Sequence, residues 1–302
     1  MQKLIIGTRG SQLALWQANF IQRKISAITN IPVELKIIKT QGDKITNLSF
    51  EKMEGKGFFT KEIEDALLDK SIDLAVHSLK DLQTTMPPGL ALTAVGFRED
   101  SREAIVIRKD SFDDSQILGV KPNGIIGSSS VRRQCQIAQL RPDLVLKDLR
   151  GNVPTRINKL RDRQYDGIVL AYAGIKRLEL DLSDLELNVI EKDLFLPAPG
   201  QGILGLQTRD GDSSVNDVIS KIDDKNIRIQ VKLERGLLAR FDGGCQLPLG
   251  AYSEIDGSNF HLKAVFCIRD KGIWQGLVEA EINGNNTEQI VEQVYKKLTA
   301  PR

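Results

Sequence analysis
The sequence predicts an α/β protein built from two units with a strand–turn–helix rhythm, followed by a smaller α+β unit. Three observations carry that prediction. Short apolar runs alternate with stretches of helical period from the N-terminus to about residue 180, the pattern of βα units. Two punctuated segments interrupt it, the charged Arg98-Glu99-Asp100-Ser101-Arg102 and the turn-rich Pro197-Ala198-Pro199-Gly200-Gln201-Gly202, as connectors between domains would. From about Asn226 the order changes to a helix, three strands in succession (near Ala251, Leu262 to Ile268 and Ile273 to Ala280) and a closing helix, Thr287 to Leu298. That reads as a small antiparallel α+β domain.

The first unit opens with a strand, Lys3 to Gly7, that enters Thr8-Arg9-Gly10-Ser11. Ser11 is the expected N-cap of an amphipathic helix on which Leu13, Trp16, Phe20, Ile21, Ile25 and Ile28 recur at helical spacing. Arg9 thus lies at a strand-to-helix turn, where α/β proteins bind anions, although a plain surface arginine satisfies the same pattern. A second strand, Val33 to Lys39, leads into a polar stretch from Thr40 to Gly57 with glycines, lysines and little periodicity, which reads as a mobile lid for an acidic ligand. Phe58 to Leu68 is a short helix and Ile72 to Val76 a strand ending in His77-Ser78-Leu79-Lys80-Asp81. Lys80 and Asp81 are candidates for charge work at a strand end, with a turn or cap role as the alternative for Asp81.

Leu90 to Phe97 and Ala104 to Arg108 are two further strands, and the second unit then repeats the rhythm. Ile125-Ile126 runs through Gly127-Ser128-Ser129-Ser130 into a helix beginning Val131-Arg132-Arg133-Gln134, a helix N-terminus dressed with hydroxyls and two arginines. It is the best anion site visible from local pattern. The strand Leu144 to Asp148 ends in Leu149-Arg150-Gly151-Asn152 before a helix carrying Arg156, and the strand Asp166 to Ala171 precedes Gly174-Ile175-Lys176-Arg177. Arginines recurring near strand ends favour one shared cleft. Ile203 to Gln207 is strand-like and is expected to return to the first sheet.

Charge distribution sharpens the anion reading. The 302 residues carry a net charge of +2, but residues 98–177 hold 11 of the 19 arginines and 16 basic against 10 acidic residues. The planar fork of arginine matches carboxylate or phosphate, so an acidic small molecule is the expected partner. Nucleic acid fits poorly, because basic runs with interleaved aromatics are missing and aromatic content is 5%. No apolar run reaches membrane-span length, and the N-terminus moves into a strand without an apolar leader, so the expected compartment is the cytoplasm. Three cysteines at spacings of 110 and 22 residues fit neither a disulfide framework nor a zinc cluster, and with His77 and His261 the only histidines no metal is expected.

One cysteine differs from the others. Cys135 lies in a helix and Cys267 in a strand interior, whereas Cys245 stands in Gly243-Gly244-Cys245-Gln246-Leu247-Pro248, where the glycines free the backbone and Pro248 stops a helix. A thiol presented on such a loop can carry something covalently. A cysteine hydrolase would need a histidine base, and sequence places neither histidine beside Cys245; His77 reads as a hydrogen-bonded structural residue. A non-catalytic solute-binding protein is the other alternative, against which stand the missing leader and the presented cysteine.

The ordered set Gly7-Thr8-Arg9 with Ser11 and Leu13-Ala14-Leu15-Trp16-Gln17, Gly55-Lys56-Gly57, His77-Ser78-Leu79-Lys80-Asp81, Gly127-Ser128-Ser129 with Arg132-Arg133-Gln134, Leu149-Arg150-Gly151-Asn152, Pro199-Gly200-Gln201-Gly202 and Gly243-Gly244-Cys245-Gln246 resembles the porphobilinogen deaminase (hydroxymethylbilane synthase) family over nearly the whole chain. The resemblance implies two periplasmic-binding-protein-like α/β domains around a cleft, residues 1–97 with 198–220 and residues 98–197, plus a C-terminal α+β domain, residues 221–302, bearing the cysteine. It implies a cytoplasmic, metal-free, monomeric transferase of tetrapyrrole and haem biosynthesis that joins four porphobilinogen molecules head to tail with loss of ammonia, releases hydroxymethylbilane and hands it to uroporphyrinogen-III synthase. By the same resemblance Cys245 holds a dipyrromethane primer through a thioether, and Asp81 is the catalytic carboxylate. Lys80, Ser128, Ser129, Arg132 and Arg133 would bind the cofactor; Arg9, Ser11, Arg150, Arg156, Arg177, Lys56 and Lys61 would bind substrate, the two lysines from the lid. Every pyrrole carries two carboxylates, which the arginine excess would answer. Gln83 and Ile203 depart from the family's usual proline and alanine, which bears on loop packing rather than on charge.

Overall fold
A computed structural model describes residues 1–40, 60–241, 247–270 and 273–300. Its chain divides into two compact units, residues 1–99 with 201–229 and residues 100–200 with 230–302.

The first unit is a five-stranded sheet formed by β1 (Leu4–Thr8), β2 (Val33–Ile37), β3 (Leu74–Ser78), β4 (Leu90–Gly96) and β10 (Leu204–Arg209), in the order β2-β1-β3-β10-β4. β1 runs parallel to β2 and β3, and β10 is antiparallel to both its neighbours, so the expected return of this segment to the first sheet is what the structure has. Helices α1 (Gln12–Ser26), α2 (Lys61–Leu68) and α6 (Ser213–Ile219) cover the sheet. Period-two alternation divides the strands between two cores: Leu4, Ile6, Leu74 and Val76 pack with Ile21, Ile25, Val215 and Ile219, while Ala75 packs with Ile63, Leu67 and Ile72. Each such side chain contributes about 1.5–3 kcal/mol by leaving water. Burial on both faces is why these strands read as unbroken apolar runs.

The second unit uses the same plan. β5 (Glu103–Arg108), β6 (Ile125–Gly127), β7 (Val145–Lys147), β8 (Gly167–Ala171) and β9 (Leu185–Ile190) form a sheet in the order β7-β6-β8-β5-β9, with β5 the antiparallel strand. Helices α3 (Val131–Leu140), α4 (Val153–Arg161) and α5 (Tyr172–Leu178) follow β6, β7 and β8. β9 is absent from the sequence reading, although Leu185, Leu187 and Val189 alternate with polar residues.

The C-terminal part is the expected antiparallel α+β element: β11 (Leu249–Asp256), β12 (Asn259–Asp270) and β13 (Ile273–Gly284), preceded by α7 (Lys225–Arg240) and followed by α8 (Thr287–Thr299). Asn286 caps α8 by accepting from the Glu288 and Gln289 amides at 3.0 Å, and its Ile290, Val291, Val294 and Leu298 are buried. The cysteine expectation is corrected here, because Cys135 on α3 and Cys267 on β12 form a disulfide across 132 residues of sequence, with Cα atoms 6.3 Å apart. Spacing along the chain could not reveal the pair, since it forms only when α3 packs on this sheet. No described helix is long and apolar enough to cross a membrane.

Candidate active site
In the first unit the candidate residues gather at one edge of the sheet. β1 and β3 are parallel, so Arg9 and Ser11 after β1 share that edge with Lys80 and Asp81 after β3. Ser11 is the N-cap of α1 as expected, accepting from the Ala14 amide at 3.3 Å, and the Thr8 hydroxyl donates to the Ala14 carbonyl at 3.1 Å. Lys80 and Asp81 lie on a single 3-10 turn, Leu79–Asp81, anchored by the fully buried Leu79. The Gln17 amide donates to the Ser78 hydroxyl at 2.8 Å, tying α1 to the end of β3. Lys80 Nζ donates to Oε1 of the fully buried Gln201 at 3.1 Å, while Asp81 is exposed. A held ammonium beside an outward carboxylate is a charge pair that a ligand can meet.

Behind that turn runs a buried polar chain. His77 Nε2 lies 3.0 Å from Gln207 Oε1, and Gln207 Nε2 donates to Glu64 Oε1 at 3.2 Å. Burial lowers the His77 pKa to about 4 against the partial opposition of the Gln207 bond, so the ring is neutral near pH 7. It is thus the hydrogen-bonded structural residue the sequence suggests.

In the second unit, β6, β7 and β8 are parallel and place Ser128, Ser129, Arg150 and α5 with Arg177 at one edge. The Ser129 hydroxyl donates to the Leu149 carbonyl at 3.1 Å and accepts from its amide at 2.9 Å, which clamps the loop bearing Arg150. Ser128 accepts from the Ser130 amide at 3.3 Å. Asn152 caps α4 through the Thr155 amide at 2.9 Å, and Arg156 Nε donates to the Gly151 carbonyl at 2.7 Å. Gly151 has φ +118°, which a side chain adopts only with strain. Arg177 is buried on α5.

Arg132 and Arg133 are placed differently from the others. Both are buried and both turn to Glu103, the fully buried first residue of β5. Glu103 pairs with Ala171 at the end of β8 and with Ile190 at the end of β9, which brings its carboxylate to the same edge. Arg133 grips it through Nε at 3.1 Å and Nη2 at 2.7 Å and gives Nη1 to the Val169 carbonyl at 3.0 Å. Arg132 donates Nη2 to Glu103 and Nη1 to the Leu196 carbonyl at 2.7 Å. Burial pulls the Arg132 guanidinium below its usual pKa, with Glu103 opposing and Arg133 reinforcing the shift. The sequence reading gives no role to Glu103, and names Gln201 only within a connector motif. The one signal is that Glu103 opens an apolar strand, where an unpaired acid would be costly.

Cys245 and Lys56, with residues 41–57 of the expected lid, lie outside the described residues; Lys61 is described, exposed at the start of α2. Among the described residues there is no group of three or more His, Cys, Asp or Glu able to hold a metal ion.

Comparison with known proteins shows the family. Residues 4–217 match the family description "Porphobilinogen deaminase, dipyromethane cofactor binding domain", and residues 228–300 match "Porphobilinogen deaminase, C-terminal domain". The chain belongs to the porphobilinogen deaminase family. A porphobilinogen deaminase of Nitratiruptor sp. is 43% identical over 269 residues, covering 89% of this chain and 84% of its own. One from Syntrophomonas wolfei is 42% identical over 271 residues, covering 89% and 87%, and one from Oceanobacillus iheyensis is 39% identical over 306 residues, covering 99% and 97%. Porphobilinogen deaminases are hydroxymethylbilane synthases: transferases that condense four porphobilinogens, with loss of ammonia, onto a dipyrromethane primer held by a cysteine thioether. The residues present fit that cofactor, whose pyrroles carry carboxylates. The second unit's edge is cationic, with two buried guanidinium groups against one buried carboxylate.

Proposed function
We propose that Asp81 is the catalytic carboxylate of the condensation and that the two sheet edges divide the remaining work. Porphobilinogen loses ammonia to give an electron-poor, positively charged pyrrole. A fixed carboxylate that accepts from the pyrrole N–H stabilises charge that develops only as ammonia leaves, and it can take or return a proton at that nitrogen. Bound dipyrromethane supplies the free pyrrole carbon at which the chain is extended. Lys80, held by Gln201, would neutralise a primer or substrate carboxylate beside Asp81. Ser128, Ser129, Arg132 and Arg133 would hold the primer, and Arg9, Ser11, Arg150, Arg156 and Arg177 the carboxylates of incoming substrate, with Lys56 and Lys61 reaching the ligand from their segment. Cys245 would carry the thioether. The enzyme would act as a cytoplasmic monomer and pass its product to uroporphyrinogen-III synthase.

The observation that carries this reading is the Lys80–Asp81 turn: one member tied to a buried amide, the other exposed, at a sheet edge that also bears Arg9. Asp81→Ala is expected to fold, to keep its primer by intact mass, and to lose turnover by about 100-fold or more. Turnover within a few-fold of wild type would remove Asp81 from the catalytic role.

A further inference from the structure
Arg132 and Arg133 are neighbours in sequence, yet their hydrogen bonds are unlike. Among the described residues three Arg133 N–H donors are engaged, two by Glu103 and one by the Val169 carbonyl. Two Arg132 donors are engaged, one by Glu103 and one by the Leu196 carbonyl. The Leu196 carbonyl is itself fixed, since it also accepts from Gln136 Nε2 at 3.0 Å while the Leu196 amide donates to Gln136 Oε1 at 2.8 Å. The carboxylate is fully buried and both arginines nearly so. Two guanidinium groups therefore turn to the same carboxylate in a dry setting, where any charge left without a partner is costly.

We propose that Glu103 is a positioning residue for primer binding: it braces Arg133 and aims Arg132, whose remaining donors take a single carboxylate of the primer. This rests on the assignment of the second unit's edge to the primer, and it divides work that the sequence pattern gives equally to both arginines. Glu103 touches neither substrate nor reacting atoms and acts through the Arg132 fork. A bidentate fork is directional, so a displacement of its anchor is felt at the ligand even when the charge is kept.

The test uses full-length apoprotein made in cells unable to synthesise porphobilinogen, incubated with porphobilinogen and followed by intact mass. Wild-type protein must gain two linked pyrrole units; if it gains nothing, the underlying assignment fails and not merely this inference. Given that gain, Glu103→Asp, which keeps the charge but draws it back by one methylene, is expected to keep its far-ultraviolet dichroism and to load about tenfold more slowly. Arg132→Lys is expected to load as slowly with little change in melting temperature, whereas Arg133→Lys is expected to melt lower. Wild-type loading by Glu103→Asp would overturn the inference. So would loading rates that simply follow melting temperature across the three variants, because a merely structural role predicts that.

Discussion
The two five-stranded sheets share one strand order and one antiparallel insertion, yet their corresponding edges carry different chemistry. At the first, an exposed aspartate stands beside a lysine tethered to a buried glutamine. At the second, two arginines are sunk against a buried glutamate, with Arg177 buried nearby in sequence order after β8. The same scaffold thus presents an exposed anion in one case and a buried, anchored cation in the other. The lesson is that charge at a strand end does not by itself state a role; whether its partners are buried does.

Removing charge from each edge should separate those roles. Asp81→Ala is expected to lose turnover with its melting temperature almost unchanged, because an exposed carboxylate supports little stability. Arg133→Leu should lose stability as well, leaving Glu103 half-paired in a dry site at a cost of about 3–5 kcal/mol, read as a lower midpoint in urea. If Arg133→Leu melts like wild type, the buried pair is not what organises the second edge.

The first unit has a buried ionisable group of its own, and pH exposes it. His77 is held neutral down to about pH 4, whereas in the unfolded chain it charges near pH 6.5. The folded pKa is the lower one, so this contribution is complete above about pH 6.5 and is lost as pH falls towards 4. The full loss is about 3 kcal/mol. His77→Gln should flatten the stability profile between those values; an unchanged slope would show that another group sets it.

Two glycines at positive φ give the smallest contrast. Gly202, φ +85°, would place a Cβ 2.3 Å from the Glu99 carbonyl oxygen within the first unit, whereas Gly151, φ +118°, would meet the Thr155 side chain at 2.7 Å. Backbone cannot step aside as a side chain can. Both alanine variants should lose about 1–3 kcal/mol from strain alone, with Gly202→Ala the worse by thermal melting.

Much of this was legible in sequence because it is local. Ser11 caps α1 where the Thr8-Arg9-Gly10-Ser11 turn predicts, and the run Ile203 to Gln207 joins the first sheet as its turn-rich connector suggests. What was not legible depends on which residues a packed strand brings together. Glu103 reads as one acid in a charged stretch until its register against Ala171 and Ile190 turns it to Arg132 and Arg133. The Cys135–Cys267 bond exists only because one face of α3 lies on β12.

The central claim is a primer held covalently by Cys245, and intact mass of the denatured protein tests it most directly, with Cys245→Ser as the control. The account predicts a wild-type mass above that of the polypeptide by two linked pyrrole units, and the bare mass for the variant. A wild type that stays at the bare mass after incubation with porphobilinogen, or a Cys245→Ser protein that carries the same adduct, would contradict it.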